Sequence, residues 1–128
     1  MAILQDKVAL ITGGGTGIGL GIAKVFAAEG ATVFITGRRS DVLEQAKKFI
    51  GAGAFAIQAD VTIGDEVAAL VCKVLDAGRG IDVLVNSAGI MRFSNLENVD
   101  EADWDEQMRV NAYAPWRCAK EVLPGMRE

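Results

Sequence analysis

The stretch Thr12-Gly13-Gly14-Gly15-Thr16-Gly17-Ile18-Gly19 decides the fold of this 128-residue chain. An apolar run at residues 8–11 precedes it, and residues 20–27, with apolar side chains at helical spacing, follow it. A strand, a glycine loop and a helix in this order leave the first N–H groups of the helix free to bind a phosphate. Glycine suits such a loop because a Cβ would hold a ligand away from the backbone. The alternative is a glycine-rich turn that binds nothing.

The spacing of the loop separates it from other phosphate-binding loops. No Gly-Lys-Ser or Gly-Lys-Thr is present, which excludes a nucleoside triphosphate P-loop, and no register gives Gly-x-Gly-x-x-Gly. The pattern is Thr-Gly-x-x-x-Gly-Ile-Gly, which resembles the cofactor loop of the short-chain dehydrogenase/reductase family. This resemblance implies that the loop binds a nicotinamide dinucleotide through Gly13, Gly15, Thr16, Gly17, Ile18 and Gly19.

The composition indicates a globular protein of one domain, residues 1–128. Hydrophobic residues make up 51% and charged residues 23%, and the net charge is −4. An acidic chain is a poor partner for nucleic acid or an anionic membrane surface. The sequence has no apolar run of about eighteen residues and no signal-peptide pattern in residues 1–7. A cytoplasmic protein is therefore expected.

Histidine is absent, which removes Ser-His-Asp catalysis, Cys-His catalysis and histidine metal sites. No metal site is expected. Cys72 and Cys118 lie in separate apolar helical segments, so both are predicted to be buried thiols.

Short β-rich runs alternate with longer helical patterns along the chain. The predicted strands are 8–12, 32–36, 55–59 and 81–86, and the predicted helices are 17–29, 41–50, 65–75 and 101–123. This alternation predicts an α/β protein with a Rossmann-like, doubly wound parallel sheet. Right-handed crossovers give the strand order 3-2-1-4. A ligand should then bind at the carboxyl ends of strands 1 and 4, where the glycine loop lies.

Helix boundaries also leave signals in the sequence. Gly30 is predicted to end the first helix in a left-handed conformation. Ser40 is predicted to cap the second helix, and Thr62-x-x-Asp65 reads as a capping box for the third. Asp100 and the acids that follow it favour the start of the fourth helix.

The end of strand 2 reads Thr36-Gly37-Arg38-Arg39. In a dinucleotide-binding fold, an acid at this point would bind the ribose hydroxyls and select NAD. Here Gly37 and Arg38 replace it, and a guanidinium pairs well with a 2′-phosphate. The sequence therefore favours NADP(H) over NAD(H). The alternative is a solvated arginine pair, and Thr16 lacks the positive charge that many NADP-binding family members carry there.

Two further strand ends carry the resemblance. Asp60-Val61 is similar to the family's Asp-Val pair, which contacts the adenine; the alternative is an acid that only stabilises the turn. Asn86-Ser87-Ala88-Gly89 resembles the family's Asn-Asn-Ala-Gly. Asn86 is expected to bond neighbouring strands' backbone, and Ala88 and Gly89 are expected to lie against the cofactor's ribose and nicotinamide.

The fourth helix contains Asn111, which matches the asparagine of the family's catalytic tetrad. Pro115 cannot donate a hydrogen bond to the Asn111 carbonyl, which is therefore predicted to be free at a kink. In the family that carbonyl holds a water of the proton relay. The alternative is a kink without a role.

The resemblance runs from Lys7 onward and covers about the first half of a usual family member. The family's serine and its Tyr-x-x-x-Lys pair would follow residue 128. Tyr113 is followed four residues later by Arg117 and not by lysine. Because both residues lie on the helix that carries Asn111, they are not interpreted as a displaced catalytic pair. The resemblance implies an NAD(P)(H)-dependent oxidoreductase acting on a keto group or secondary alcohol. This chain is predicted to be an incomplete domain, ending after the fourth helix and inactive alone.

Two alternatives remain open. The chain is either the cofactor-binding half of such an enzyme, here as a fragment, or a non-catalytic dinucleotide-binding or assembly module. A small carbonyl or alcohol substrate is expected only in a complete enzyme. An exposed edge at strand 4 and an apolar fourth helix predict a homo-oligomer.

Overall fold

The computed structural model describes residues 2–78 and 80–128. The strands within these residues are β1 (Val8–Thr12), β2 (Thr32–Gly37), β3 (Ala54–Gln58) and β4 (Val83–Asn86). The α-helices of the described part are α1 (Gly17–Ala28), α2 (Ser40–Ile50), α3 (Gly64–Ala77), α4 (Glu101–Met108) and α5 (Ala114–Met126). A π-helical segment, Arg109–Tyr113, joins α4 and α5. The strands pair in parallel in the order β3-β2-β1-β4, which confirms the predicted topology.

Helices cover both faces of the sheet because the strand residues alternate between two cores. Leu10 and Phe34 pack on one face with residues of α3 and α5, including Leu70. Ile11 and Ile35 pack on the other face with residues of α1 and α2. This arrangement confirms the doubly wound α/β class.

The first helix ends in the predicted manner. Gly30 has φ +91°, a left-handed conformation that costs glycine little. Its N–H donates to the Ala27 carbonyl at 3.1 Å, and the Ala31 N–H donates to the Phe26 carbonyl at 3.0 Å. These paired bonds form a Schellman motif, which turns the chain from α1 into β2.

The predicted caps of the next two helices are wrong. The second helix already includes Ser40, and Arg39 precedes it without a side-chain cap. The third begins at Gly64, after Ile63, so Thr62 is not its N-cap; the Thr62 hydroxyl instead donates to Asp60 Oδ1 at 2.6 Å. At the fourth helix, Asp100 Oδ1 does accept a hydrogen bond from the Ala102 N–H at 2.8 Å.

The single helix predicted at 101–123 is also wrong. The chain widens into a π-helical segment, in which the Ala114 N–H donates to the carbonyl of Arg109, five residues back. Pro115 follows at the start of α5. Because proline has no N–H, the regular hydrogen-bond ladder cannot continue through it, and the extra residue is accommodated just before it.

One cysteine prediction is confirmed and the other is wrong. Cys118 is buried, in a small core with Val61, Val67 and Ala114. Cys72 is exposed on α3, because the helix turns its neighbours Val71 and Val74 towards the sheet instead. No helix in residues 2–78 and 80–128 has both the length and the apolar character needed to cross a membrane.

Candidate functional site

A cavity of about 370 Å³ lies at the carboxyl ends of the strands. The predicted cofactor-binding residues that line it are Gly13, Gly15, Thr16, Gly17, Ile18, Arg38, Arg39, Asp60, Val61, Ala88 and Gly89. Gly19, Asn86 and Asn111 lie outside its lining. The topology thus brings together loops from four separate parts of the sequence.

The glycines of the loop allow close backbone packing. A Cβ on Gly13, which has φ +63°, would lie 2.8 Å from the backbone of Ala88. A Cβ on Gly19 would collide with the Gly13 carbonyl. Position 19 therefore requires glycine for packing within the loop, although Gly19 does not line the cavity. Gly17 has φ +54° and open space where a Cβ would be, so its backbone is accessible from the cavity.

The N-terminus of α1 faces the cavity without an internal cap. The Thr16 side chain makes no capping hydrogen bond, and the first turn contains no acidic residue. The first backbone bond of the helix joins the Leu20 N–H to the Thr16 carbonyl at 3.2 Å. The preceding N–H groups and the helix dipole therefore present partial positive charge to the cavity, which suits an anion.

The Thr12 hydroxyl fixes the loop that follows β4. It accepts hydrogen bonds from the N–H groups of Ser87 and Ala88, each at 3.2 Å, and donates to the Val85 carbonyl at 3.5 Å. Asn86 was expected to bond the backbone of neighbouring strands, and that expectation is wrong. Asn86 ends an edge strand, and its side chain is exposed and makes no hydrogen bond within residues 2–78 and 80–128.

Two arginines stand at one end of the cavity. Arg38 and Arg39 are exposed, and neither guanidinium forms an ion pair with the described part of the chain. The Gln58 amide donates to the Arg38 carbonyl at 2.8 Å, which ties this turn to β3. The backbone is therefore held while the positive charges stay uncompensated, an arrangement suited to a phosphate.

Asp60 stabilises the turn that follows β3 and also lines the cavity. Its Oδ1 accepts from the Thr62 N–H at 2.9 Å and from the Thr62 hydroxyl, so it does stabilise the turn. The Asp60 N–H donates to Glu66 Oε1 at 3.1 Å. Asp60, Val61 and Thr62 nevertheless line the cavity, so the turn is also part of its wall.

The side chain of Asn111 binds the loop after β4. Its Oδ1 accepts from the Ile90 N–H at 2.9 Å, and its Nδ2 donates to the Ile90 carbonyl at 2.7 Å. The same Oδ1 would lie 3.4 Å from a Cβ on Gly89, so a larger residue there would press against it. Asn111 thus holds the backbone of Gly89 and Ile90 at the cavity wall.

Sequence reasoning did not select several residues of the lining. Thr36, Thr62, Ser87 and Ile90 each lie beside a motif residue and could have been inferred from that position. Val110 is buried beside Asn111, and no motif marks it. Tyr113 and Arg117 are engaged elsewhere: the Arg109 guanidinium lies 3.5 Å over the Tyr113 ring, and Arg117 pairs with Glu121 at 2.9 Å.

The family described as short chain dehydrogenase has a model that matches residues 7–128, and the chain belongs to this family. An uncharacterised oxidoreductase of Staphylococcus aureus (strain MRSA252) is 36% identical over all of this chain and 56% of its own length. Oxidoreductase UcpA of Salmonella typhimurium is 38% identical over 98% of this chain and 49% of its own length.

A solved structure of a metagenomic short-chain oxidoreductase in complex with NADP has the same fold. Its TM-score is 0.91 at 35% identity, covering 96% of this chain and 57% of that one. The chain thus spans about half the length of the relatives it matches. Members of this family bind NAD(P), and the glycine loop, the uncapped helix and the arginines fit such a ligand.

Proposed function

We propose that this chain binds NADP(H) in the cavity and forms the cofactor-binding part of an oxidoreductase that interconverts keto groups and secondary alcohols. The observation that carries the proposal is the convergence on one cavity of the glycine loop, the uncapped α1 N-terminus and two arginines that form no ion pair with the described residues. The nicotinamide of a bound cofactor would supply or accept the hydride. The protein's part is to bind and orient that cofactor.

Each part of the cofactor has matching residues. The α1 N-terminus and its glycines would bind the pyrophosphate, and Arg38 with Arg39 would bind the 2′-phosphate. Asp60 and Val61 would contact the adenine. Ala88 and Gly89 would lie beside the nicotinamide and its ribose, with Asn86 next to them at the end of β4.

The preference for NADP(H) rests on charge. β2 ends at Gly37 without the acid that would bind ribose hydroxyls, and Arg38 follows it directly. A 2′-phosphate there would meet uncompensated guanidinium groups, whereas the neutral hydroxyl of NAD(H) would gain much less. The solved relative in complex with NADP supports this interpretation.

The proposed chemistry extends beyond these 128 residues. We assign Asn111 to the catalytic set, as the family resemblance implies, with its backbone carbonyl binding a water. The serine and the Tyr-x-x-x-Lys pair of the family are not among residues 1–128. The 128 residues alone should therefore give no turnover, because positioned acid–base groups supply several orders of magnitude in rate. A ketone-reduction assay on that purified fragment checks this.

The assembly alternative also has a specific observation in its favour. Trp104, Trp116 and Leu123 are large apolar residues that remain exposed on α4 and α5. Such a surface favours a homo-oligomer.

We also propose a cytoplasmic location. It is supported by Cys72 and Cys118, which form no disulfide.

Titration calorimetry with NADPH and NADH tests the proposed function. The unsubstituted protein should bind NADPH at least about tenfold more tightly, the size expected of charge-assisted hydrogen bonds. Arg38→Ala should remove most of this preference. Arg127→Ala, the same change at an exposed arginine outside the cavity, should leave it unchanged. Equal affinities in the unsubstituted protein would contradict the preference, and no binding of either would contradict the function.

A further inference from the structure

The π-helical segment lies beside the cavity, and the side chains of its residues point in different directions. Val110 is buried and lines the cavity. Arg109 and Asn111 stand on either side of it, and residues two apart on a helix do not face each other. Asn111 reaches the loop of Gly89 and Ile90, as described above, whereas Arg109 reaches the turn that follows β3.

The contact of Arg109 is specific. Its Nε donates to the Thr62 carbonyl at 2.8 Å, across 47 residues of sequence. Its guanidinium lies 3.5 Å over the ring of Tyr113, which restricts the plane of the guanidinium and so directs its N–H groups. A charged donor held in one plane is a stronger support for a carbonyl than a mobile one.

The turn that Arg109 contacts is part of the cavity wall. The hydrogen bonds of the Thr62 N–H and hydroxyl both go to Asp60, so they stay within the turn. The Thr62 carbonyl, by contrast, is bound by a side chain of the π-helical segment. Without this bond, the turn that carries Asp60 and Val61 would lose its tie to that segment.

We infer that Arg109 is a positioning residue for the end of the cavity formed by Asp60, Val61 and Thr62, and that the π-helical segment supports both ends of the cavity at once. Arg109 holds one end through Thr62, and Asn111 holds the other through Ile90. This inference rests on the proposed function, because it assigns the first end to the adenosine half of the cofactor. A regular helix would aim these side chains differently, which gives the π-helical geometry a function.

The test compares two halves of the cofactor as separate probes, on the protein as its gene encodes it. NMR titrations give the Kd of 2′,5′-ADP for one end and of reduced nicotinamide mononucleotide for the other. Arg109→Ala should raise the Kd of 2′,5′-ADP by about three- to tenfold, the effect of one hydrogen bond, and leave that of the mononucleotide unchanged. Arg109→Lys, which retains a donor but not the planar stack, should recover part of the loss.

Arg92→Ala is the matched control, because Arg92 pairs with Asp103 and Glu106 and does not contact the Thr62 turn. It should leave the Kd of 2′,5′-ADP unchanged. Amide hydrogen exchange at Thr62 should quicken in Arg109→Ala and not in Arg92→Ala. An unchanged Kd for 2′,5′-ADP, or equal weakening of both probes, would overturn the inference and leave the proposed function standing. If the unsubstituted protein binds neither probe, both fail.

Discussion

Two buried threonines near the ends of neighbouring strands, Thr12 and Thr36, differ in the hydrogen bonds that their hydroxyls make. Thr12 and Thr36 are register partners, exposed by 2% and 0%. The Thr12 hydroxyl bonds to the backbone of the loop after β4. The Thr36 hydroxyl is buried without a hydrogen-bond partner in the described part of the chain. Their side chains have the same shape, so the difference between them is one of hydrogen bonding.

We therefore expect opposite results from the same substitution. Thr12→Val leaves the N–H groups of Ser87 and Ala88 without an acceptor and should lower the free energy of unfolding by about 1–3 kcal/mol. Thr36→Val removes an unsatisfied hydroxyl and should be neutral or stabilising. Urea unfolding measures both, and Thr12→Ser, which retains the oxygen, is the control. Equal destabilisation by the two valines would contradict this assignment.

The two thiols should differ in reactivity. Burial, with a smaller effect from the negative charge of Glu121, raises the pKa of Cys118 to about 11. Because the thiolate is the reactive form, the folded protein should be alkylated by iodoacetamide at pH 8 at the exposed Cys72 and not at Cys118. Peptide mass spectrometry locates the label, and both residues should react in urea.

The raised pKa of Cys118 also makes stability depend on pH. The neutral thiol favours the folded state, and this contribution is complete below the thiol's unfolded pKa of about 8.5. It is lost as pH rises through about 11, the pKa in the folded protein. Labelling of Cys118 in the native protein at pH 8 would contradict the burial assigned to it.

At the scale of elements, the sequence correctly predicted the strand order of the sheet and the position of the glycine loop at the carboxyl ends of the strands. Apolar runs and glycines act locally, so β1 and the left-handed end of α1 at Gly30 could be inferred from neighbouring residues. The predicted capping box at Thr62 is wrong because α3 begins at Gly64, two residues after Thr62, and residue spacing alone does not fix a boundary to that precision.

The site was predictable where motifs mark it and not where distant elements meet. The role of Thr12 depends on backbone N–H groups 75 and 76 residues away, and the Arg109 contact with Thr62 spans 47 residues. Pro115 indicated that the regular hydrogen bonding of the fourth helix is interrupted. Whether that interruption becomes a kink or a π-helical segment depends on packing that the sequence pattern does not contain.

Asn111→Ala tests the tie between the π-helical segment and the loop after β4. Both hydrogen bonds to Ile90 disappear, so the Ile90 amide should exchange faster. The free energy of unfolding should fall by about 1 kcal/mol, a small loss for two bonds because both are exposed to solvent. The control is Gln107→Ala, which removes the bond that the Arg92 N–H of the same loop donates to Gln107 Oε1, together with a bond from Gln107 to the Asp103 carbonyl within α4, and leaves Ile90 untouched. Unchanged exchange at Ile90 in Asn111→Ala would show that other contacts hold this loop.

At the scale of the whole molecule, apolar surface and an open sheet edge coincide. β4 is hydrogen-bonded to β1, and no strand of residues 2–78 and 80–128 pairs with its other edge. Trp104 and Trp116 are each 55% exposed, and a groove of about 480 Å³ lies between Trp104 and Tyr113. Surfaces of this kind usually acquire a partner.

We expect the 128-residue chain to self-associate at tens of micromolar. Light scattering over a dilution series measures the mass of the species present. Trp104→Lys places charge in the groove and should shift the chain towards monomer, whereas Phe49→Lys, at an exposed aromatic residue on α2, should not. A folded unsubstituted chain that stays monomeric throughout the series would contradict the prediction.

The strand order also has a consequence for synthesis on the ribosome. β1 is made first but lies inside the sheet, and the Val8 N–H meets its acceptor, Asp82 Oδ2, only after 74 further residues have been added. The glycine loop is therefore finished before the Ser87, Ala88 and Val110 walls of its cavity exist. A nascent chain arrested after β3 would carry the whole glycine motif and still lack a closed binding site. The proposed binding of NADP(H) during translation should therefore begin only once residue 111 has left the exit tunnel.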